Sequence, residues 1–577
     1  MPAEGSKKTR RWRRWLFVVL LLSAGLFWLS GGGGTSVEIE DGSFLFVDIG
    51  GGYDEQPVDD LVARIAGDPR QSLVDLLLLL RAASDDSRVE GLVVRIRNLD
   101  IGWAKAQELR AALARFRANG GKLVAYLENE FGNSTLEYFV ASVAESVYVP
   151  PAGSAAVSGL LAEYVFLGGL WEKLDIDMQV IKIGAYKSAG DLYANREMSA
   201  AHREMANSLL DSIYGQFLSA VATSRGLDED DLRELIDRGP MTVDDLLGGG
   251  LIDGTRFLDE IEADLVGDRG AFVEAADYDS SPTRDGAPVG RVAIVFGVGT
   301  ITTGPSADGV LSDDATMGAD TMRDAFEEVA EDEEVDAIVF RVDSPGGSAL
   351  ASDLIWHATQ QARMAKPVVV SMSDVAGSGG YYVSSGASRI LADPGTLTGS
   401  IGVVLAKPNV RGLLEKFGIH STTVRRGHGA GAVAMTESFD EAELRQVRAS
   451  MQEVYRLFVE RVASGRSMDS SLVDEVGRGR VWTGEQAVAN GLVDRLGGLL
   501  DAIDEAKVAI GVDPEAKVEV VFYPRQRGLF ERLAGALSVR VGVRLPRWWG
   551  RLRQLVAAHD FPAGTVLTLM PQRVVVR

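Results

Sequence analysis

The sequence predicts an α/β protein made of two tandem copies of one domain behind an N-terminal membrane anchor. Three observations carry this reading. Short β-branched runs alternate with amphipathic helical stretches from about residue 43 onward. Corresponding segments recur at an offset of roughly 245 residues, far longer than any solenoid repeat. A basic block also stands directly before an apolar stretch near the N-terminus. At 577 residues the chain exceeds one ordinary domain, and 46% hydrophobic with 24% charged residues allows large cores. The net charge of −23 argues against nucleic acid as a partner. The absence of cysteine excludes disulfides, thiol catalysis and cysteine-ligated metal, and the five histidines show no ligand spacing, so neither metal nor cofactor is expected.

Taken in order, residues 1–14 form a basic cytoplasmic segment containing Lys7, Lys8, Arg10, Arg11, Arg13 and Arg14. Residues 15–30 are expected to span the membrane, with Trp15 and Trp28 at the two interfaces. No A-x-A-like cleavage site follows, only a linker at 31–42 opening with Gly31 to Gly34, so a retained anchor is favoured over a cleaved secretory signal. The positive block keeps the N-terminus cytoplasmic and puts the rest across the membrane, in a bacterium the periplasmic side of the inner membrane. Residues 43–275 make the first copy, 276–288 a polar, Pro-containing linker, 289–512 the second copy and 513–577 a basic amphipathic tail.

The copies align segment by segment. Val89–Ile96 reads against Val335–Val342, Gly121–Tyr126 against Ala365–Val370, and Ala144–Pro151 against Ala387–Pro394. The differences between them carry the chemistry. In the second copy Gly377-Ser378-Gly379-Gly380 follows a strand and precedes a helix, where free helix N–H groups can stabilise negative charge beside a serine. Opposite Ser378 the first copy has Ser134 without flanking glycines, and opposite Gly346-Gly347 it has no Gly-Gly pair. The reverse holds for Lys187, which faces Ala430. A desolvated lysine can accept a proton near neutral pH, and the Ile183–Tyr186 neighbourhood is expected to supply that burial. Alone, the serine stretch also reads as a Gly/Ser turn and Lys187 as a snorkelling surface lysine. Reciprocal loss is what joins them into one composite site.

At these residues the chain resembles the signal peptide peptidase A (protease IV) family in its long tandem form. The resemblance rests on Tyr186-Lys-Ser-Ala189, Arg341-Val-Asp-Ser-Pro-Gly-Gly-Ser348, Ser378-Gly-Gly-Tyr-Tyr382, Leu397-Thr-Gly-Ser-Ile-Gly402 and Val481-Trp-Thr-Gly-Glu-Gln-Ala487. It implies a ClpP/crotonase-like fold and a Ser/Lys dyad endopeptidase. Ser378 would be the nucleophile, Lys187 the general base and Ser400 the residue orienting the lysine. The N–H of Gly379, with that of Gly346 or Gly347, would form the oxyanion hole. The implied substrates are cleaved signal peptides and other hydrophobic peptides, handled by a homotetramer on the bilayer. Gly377 stands where the family more often has Ala, and Ala189-Gly-Asp-Leu-Tyr193 departs from the usual continuation. Tyr186 and Ser188 are read as packing residues.

Leu529 to Arg553 mixes Leu, Val and Trp with six arginines and is expected to lie on anionic lipid, with packing on a neighbouring subunit as the alternative. The rival functions are an inactive membrane scaffold descended from the peptidase and a crotonase-like acyl-CoA enzyme. The scaffold sits poorly with retention of both Lys187 and Ser378, and the acyl-CoA enzyme with a periplasm that holds no CoA.

Overall fold

The β-branched runs form parallel strands, as their length and continuous apolarity dictate. In this computed structural model the described residues are 39–57, 71–129, 134–239, 241–266, 271–278, 288–307, 315–525 and 567–569. The expected span at 15–30 and the arginine-rich stretch 529–553 lie outside them. Among the described residues no helix is long and apolar enough to cross a membrane.

In the first copy, Val89–Leu99 lies between Ser43–Gly51 and Lys122–Leu127. The sheet continues through Ser146–Val149 to Gly254–Thr255, and on its other edge Phe272–Glu274 pairs with Ser43–Gly51. All these pairings are parallel, so each connection must cross over the sheet; helices Leu73–Asp85 and Trp103–Ala118 do so between the three longest strands. In the second copy Arg291–Val298 lies between Ala337–Ser344 and Glu519–Tyr523, so this sheet runs past residue 512 into the stretch expected to be tail. Val368–Gly377, Arg389–Ala392 and Arg495–Leu496 follow in turn. The two sheets therefore share one strand order, and the tandem repeat is visible as a repeated topology.

The copies are not beads on a string. A single core contains Leu45, Leu92 and Ile96 from the first copy together with Ile294, Val339 and Ile503 from the second. A third sheet crosses between them: Asp177–Ile183 of the first copy pairs antiparallel with Val403–Asn409 of the second over seven residue pairs. Its full order runs Thr316–Gly318, Thr300–Thr302, Gly346–Ser348, Leu567–Leu569, Val403–Asn409, Asp177–Ile183.

A buried ionic cluster adds polar contacts to the junction. Arg341, fully buried, donates to Glu55 at 2.7 Å and to Glu108 at 2.6 Å, both on the first copy. Lys105 Nζ lies 2.9 Å from Asp343 and 3.2 Å from Glu55. Burial alone would raise the Glu55 carboxyl, but the Arg341 and Lys105 cations overcome it and hold the group below the usual carboxylate range. Asp374 of the second copy accepts from the backbone N–H groups of Gly102 and Lys105 at 3.0 Å each. Those two amides open helix Trp103–Ala118, so a carboxylate from one copy caps a helix of the other. This loop is the one that lost its Gly-Gly pair. Its N–H groups now serve the junction.

Candidate active site

The strand Val368–Gly377 delivers Ser378 to a sharp turn before the six-residue helix Gly379–Ser384. Ser378 has φ +57° and ψ −112°, a conformation L-residues rarely adopt, and its side chain is fully buried. Its N–H donates to the Gly399 carbonyl at 2.8 Å, and its own carbonyl accepts from Tyr382 N–H at 2.8 Å. Gly380 is required where it stands, since a Cβ there would meet the Ser344 carbonyl at 2.6 Å. That approach brings the segment preceding Gly346-Gly347 against the turn. In the first copy, Ser134 sits at the start of helix Thr135–Ala141 with φ −110° and its N–H donates to Ala156 O. The architecture persists there without the strained turn.

Lys187 follows the bridging strand Asp177–Ile183 through a turn at Gly184 (φ +111°). Its Nζ lies 2.7 Å from Ser378 Oγ, 2.8 Å from the Ser400 carbonyl and 3.0 Å from Ser400 Oγ. Ser400 too has positive φ, +53°, held by its N–H donating to Arg480 O at 2.7 Å. All three side chains are fully buried. Burial pushes the Lys187 amine well below the ordinary lysine value of 10.5. A neutral amine has two N–H groups and one lone pair. With the N–H groups donating to the two Ser400 oxygens, the lone pair is left facing the Ser378 hydroxyl.

The burial does not come from where the sequence suggested. Ala185 is exposed, Ile183 and Gly184 are half-buried, and Tyr186 turns its hydroxyl to Glu204 and its ring under Arg480. Gly479, from the second copy, packs against the Lys187 backbone and Cβ. A Cβ there would lie 2.5 Å from Lys187 N and 2.6 Å from its Cβ, and Gly479 has φ +80°. Gly184 meets the neighbouring Arg478 backbone just as closely. Sequence reasoning passed over Gly479, although Gly477-Arg-Gly479-Arg480 directly precedes a quoted motif. Ser188 is buried as expected for a packing residue, with an unpaired hydroxyl.

The candidate oxyanion donors come from two elements. Gly379 opens its helix, so its N–H belongs to the first turn, which has no intrahelical acceptor. Gly346, at φ +97°, starts the short strand Gly346–Ser348, and its N–H points to Ser344 Oγ at 3.2 Å. Gly347 lies so close to the Ile301 backbone that any Cβ would clash, at 2.1 Å from its carbonyl oxygen.

Stability should report the lysine's protonation directly. Between its depressed folded-state value and 10.5 the unfolded chain binds a proton that the folded chain does not, so this group's contribution rises with pH through that window. Lys187→Met abolishes the dependence. The stability of wild type relative to the variant should therefore be lower at pH 8 than at pH 9. Denaturant melts at both pH values measure it, and parallel behaviour of the two proteins would mean that the folded lysine is charged.

The α/β scaffold, together with its similarity to known proteases, makes the chain a serine-type endopeptidase. The chain belongs to peptidase family S49, whose family model matches residues 115–269 and 360–513, one stretch in each copy. It is 35% identical to "Serine protease SPPA, chloroplastic" of Arabidopsis thaliana over 473 residues, covering 80% of this chain and 69% of that protein. It is 31% identical to "Protease 4" of Salmonella typhi over 520 residues, covering 85% and 82%. A shorter match at 38% identity links it to "Putative signal peptide peptidase SppA" of Enterococcus faecium, over 32% of this chain and 53% of that one.

Proposed function

We propose that the chain is a membrane-bound signal peptide peptidase working through a Ser378/Lys187 dyad. The observation that carries this reading is the 2.7 Å approach of a buried, unpaired-by-carboxylate amine, from the first copy, to a buried hydroxyl of the second. As Ser378 Oγ attacks the scissile carbonyl carbon, the Lys187 lone pair takes its proton. Negative charge then develops on the carbonyl oxygen, where the N–H of Gly379 and that of Gly346 or Gly347 receive it. Collapse breaks the C–N bond while the Lys187 ammonium returns the proton to the departing amine. Water enters next, Lys187 removes its proton, and the acyl-Ser378 ester is hydrolysed. Ser400 keeps the amine aimed throughout.

The relatives' names supply the substrate class: signal peptides, and by extension other hydrophobic peptides left in the bilayer. The basic block at 1–14 and the apolar stretch at 15–30 support an inner-membrane anchor with residues beyond 43 on the periplasmic side. The division into 43–275 and 289–512, with 276–288 between, supports one composite site per chain, and a homotetramer on the bilayer completes the reading. The full chain in liposomes should cleave a synthetic signal peptide and spare the same segment when it is joined to its folded preprotein. Equal turnover of polar, unanchored peptides would reject the substrate assignment.

A further inference from the structure

One short segment of the second copy touches the base, the serine beside it and the strand that holds the nucleophile. In Arg478-Gly479-Arg480, the Arg478 carbonyl accepts from the Tyr186 N–H at 2.9 Å and the Arg480 carbonyl from the Ser400 N–H at 2.7 Å. Between them the Gly479 N–H donates to the Ile401 carbonyl at 2.7 Å. The strand that follows, Val481–Thr483, pairs with Leu397–Gly399, and the Gly399 carbonyl receives the Ser378 N–H. All of these are main-chain contacts. The Arg480 side chain adds a tie of its own. Its guanidinium carbon lies 4.8 Å from the centre of the Tyr186 ring and 4.4 Å from that of Trp482. Its Nη1 donates to Glu204 at 2.7 Å, and Glu204, on helix Ala200–Arg225, also accepts from the Tyr186 hydroxyl at 3.1 Å. Tyr186 and Glu204 belong to the first copy, Arg480 and Trp482 to the second.

We propose that Arg480 is a positioning residue for the reaction: gripping Tyr186 against Trp482 and tied to Glu204, it presses the Lys187 turn onto the second copy and keeps the amine dry and aimed. This rests on the proposed Ser378/Lys187 site. Tyr186 stands between exposed Ala185 and fully buried Lys187, so water reaches the amine there if the turn lifts. The Arg480 side chain is 18% exposed and that of Glu204 56%, so the ring contacts, more than the solvent-screened ion pair, carry the grip. Releasing Tyr186 has two effects. The lone pair of Lys187 loses its fixed direction toward Ser378 Oγ, which lowers kcat. Water at the amine also undoes the burial that depresses its pKa, so less of it is neutral at a given pH. The grip touches neither Gly379 nor Gly346-Gly347, and KM should hold.

The test follows full-length wild type, Arg480→Ala, Arg480→Lys and Tyr186→Leu on a synthetic signal peptide across about pH 6–10. Arg480→Ala should move the acid limb of the profile up by about one pH unit with KM unchanged. On the acid side of the limb kcat falls about thirtyfold, of which about threefold, the share due to lost aim, remains at high pH. Arg480→Lys keeps a cation over both rings and should recover most of the loss. Tyr186→Leu should shift the limb in the same direction, and the double variant no further than Arg480→Ala alone. A loss equal at every pH, or a raised KM with the limb in place, overturns the inference and leaves Arg480 a purely structural residue. If Arg480→Ala does not fold, Tyr186→Leu decides, and an unmoved limb overturns the inference equally. Full turnover in Lys187→Ala would remove the site beneath it, whereas an inert Lys187→Ala beside a wild-type profile for Arg480→Ala removes only this inference.

Discussion

Replacing either Ser378 or Lys187 by alanine is expected to lower kcat/KM for a signal peptide by a factor on the order of 10⁴ or more, and the double variant no further. In the proposed mechanism the two groups share one proton transfer. Without the hydroxyl the amine has nothing to deprotonate, and without the amine the hydroxyl stays a poor nucleophile, since among the described residues no other base lies within hydrogen-bond distance of its Oγ. Ser400→Ala should be milder, since the Ser400 carbonyl at 2.8 Å still holds one amine N–H while the hydroxyl at 3.0 Å is lost. A loss of about 10–100-fold, chiefly in kcat, is expected for a group that orients the base. Steady-state kinetics on the four proteins and the Ser400 variant check this. Multiplying losses in the double variant would mean that the two residues act separately.

Arg341→Met should destabilise the fold by about 3–5 kcal/mol. The guanidinium is fully buried and satisfies Glu55, Glu108, Ser371 and Ser373 at once. Methionine fills much of the volume but takes the cation from buried Glu108 and leaves Glu55 with Lys105 alone, and both carboxylates lie on the opposite copy. Adding Glu108→Gln should recover part of the loss, because an amide costs far less to bury than an unpaired charge. Chemical denaturation of wild type, single and double variants measures both steps. A change below about 1 kcal/mol for Arg341→Met would mean that water reaches the cluster and screens it.

The sequence made the parallel strands and the repeat legible because both are local patterns: apolar runs of strand length, recurring at one offset. Ser378 and Lys187 were legible for a different reason. Lys187 faces Ala430, and Ser378 stands among glycines that its counterpart Ser134 lacks; comparing the copies exposes both differences without any structure. What stayed hidden depends on contacts between distant segments. Gly479 looks like any turn glycine until the Lys187 backbone is found 2.5 Å from its missing Cβ. Arg341 and Asp343 stood inside a quoted motif, yet their partners Glu55, Lys105 and Glu108 lie more than 230 residues earlier, and no spacing rule links them. Asp374 shows the same limit, since its role as a cap is set by a helix of the other copy. Leu567-Thr568-Leu569 is too short to announce a strand, and only its pairing with Gly346–Ser348 and Val404 marks it as one.

The decisive measurement is covalent labelling with an organofluorophosphonate followed by peptide mass mapping of the full chain. One adduct is expected, on Ser378, formed readily in wild type and at a small fraction of that rate in Lys187→Ala, which keeps the serine but has no amine to activate it. An adduct on another serine, or equal labelling of Ser378 with and without Lys187, would contradict the shared site.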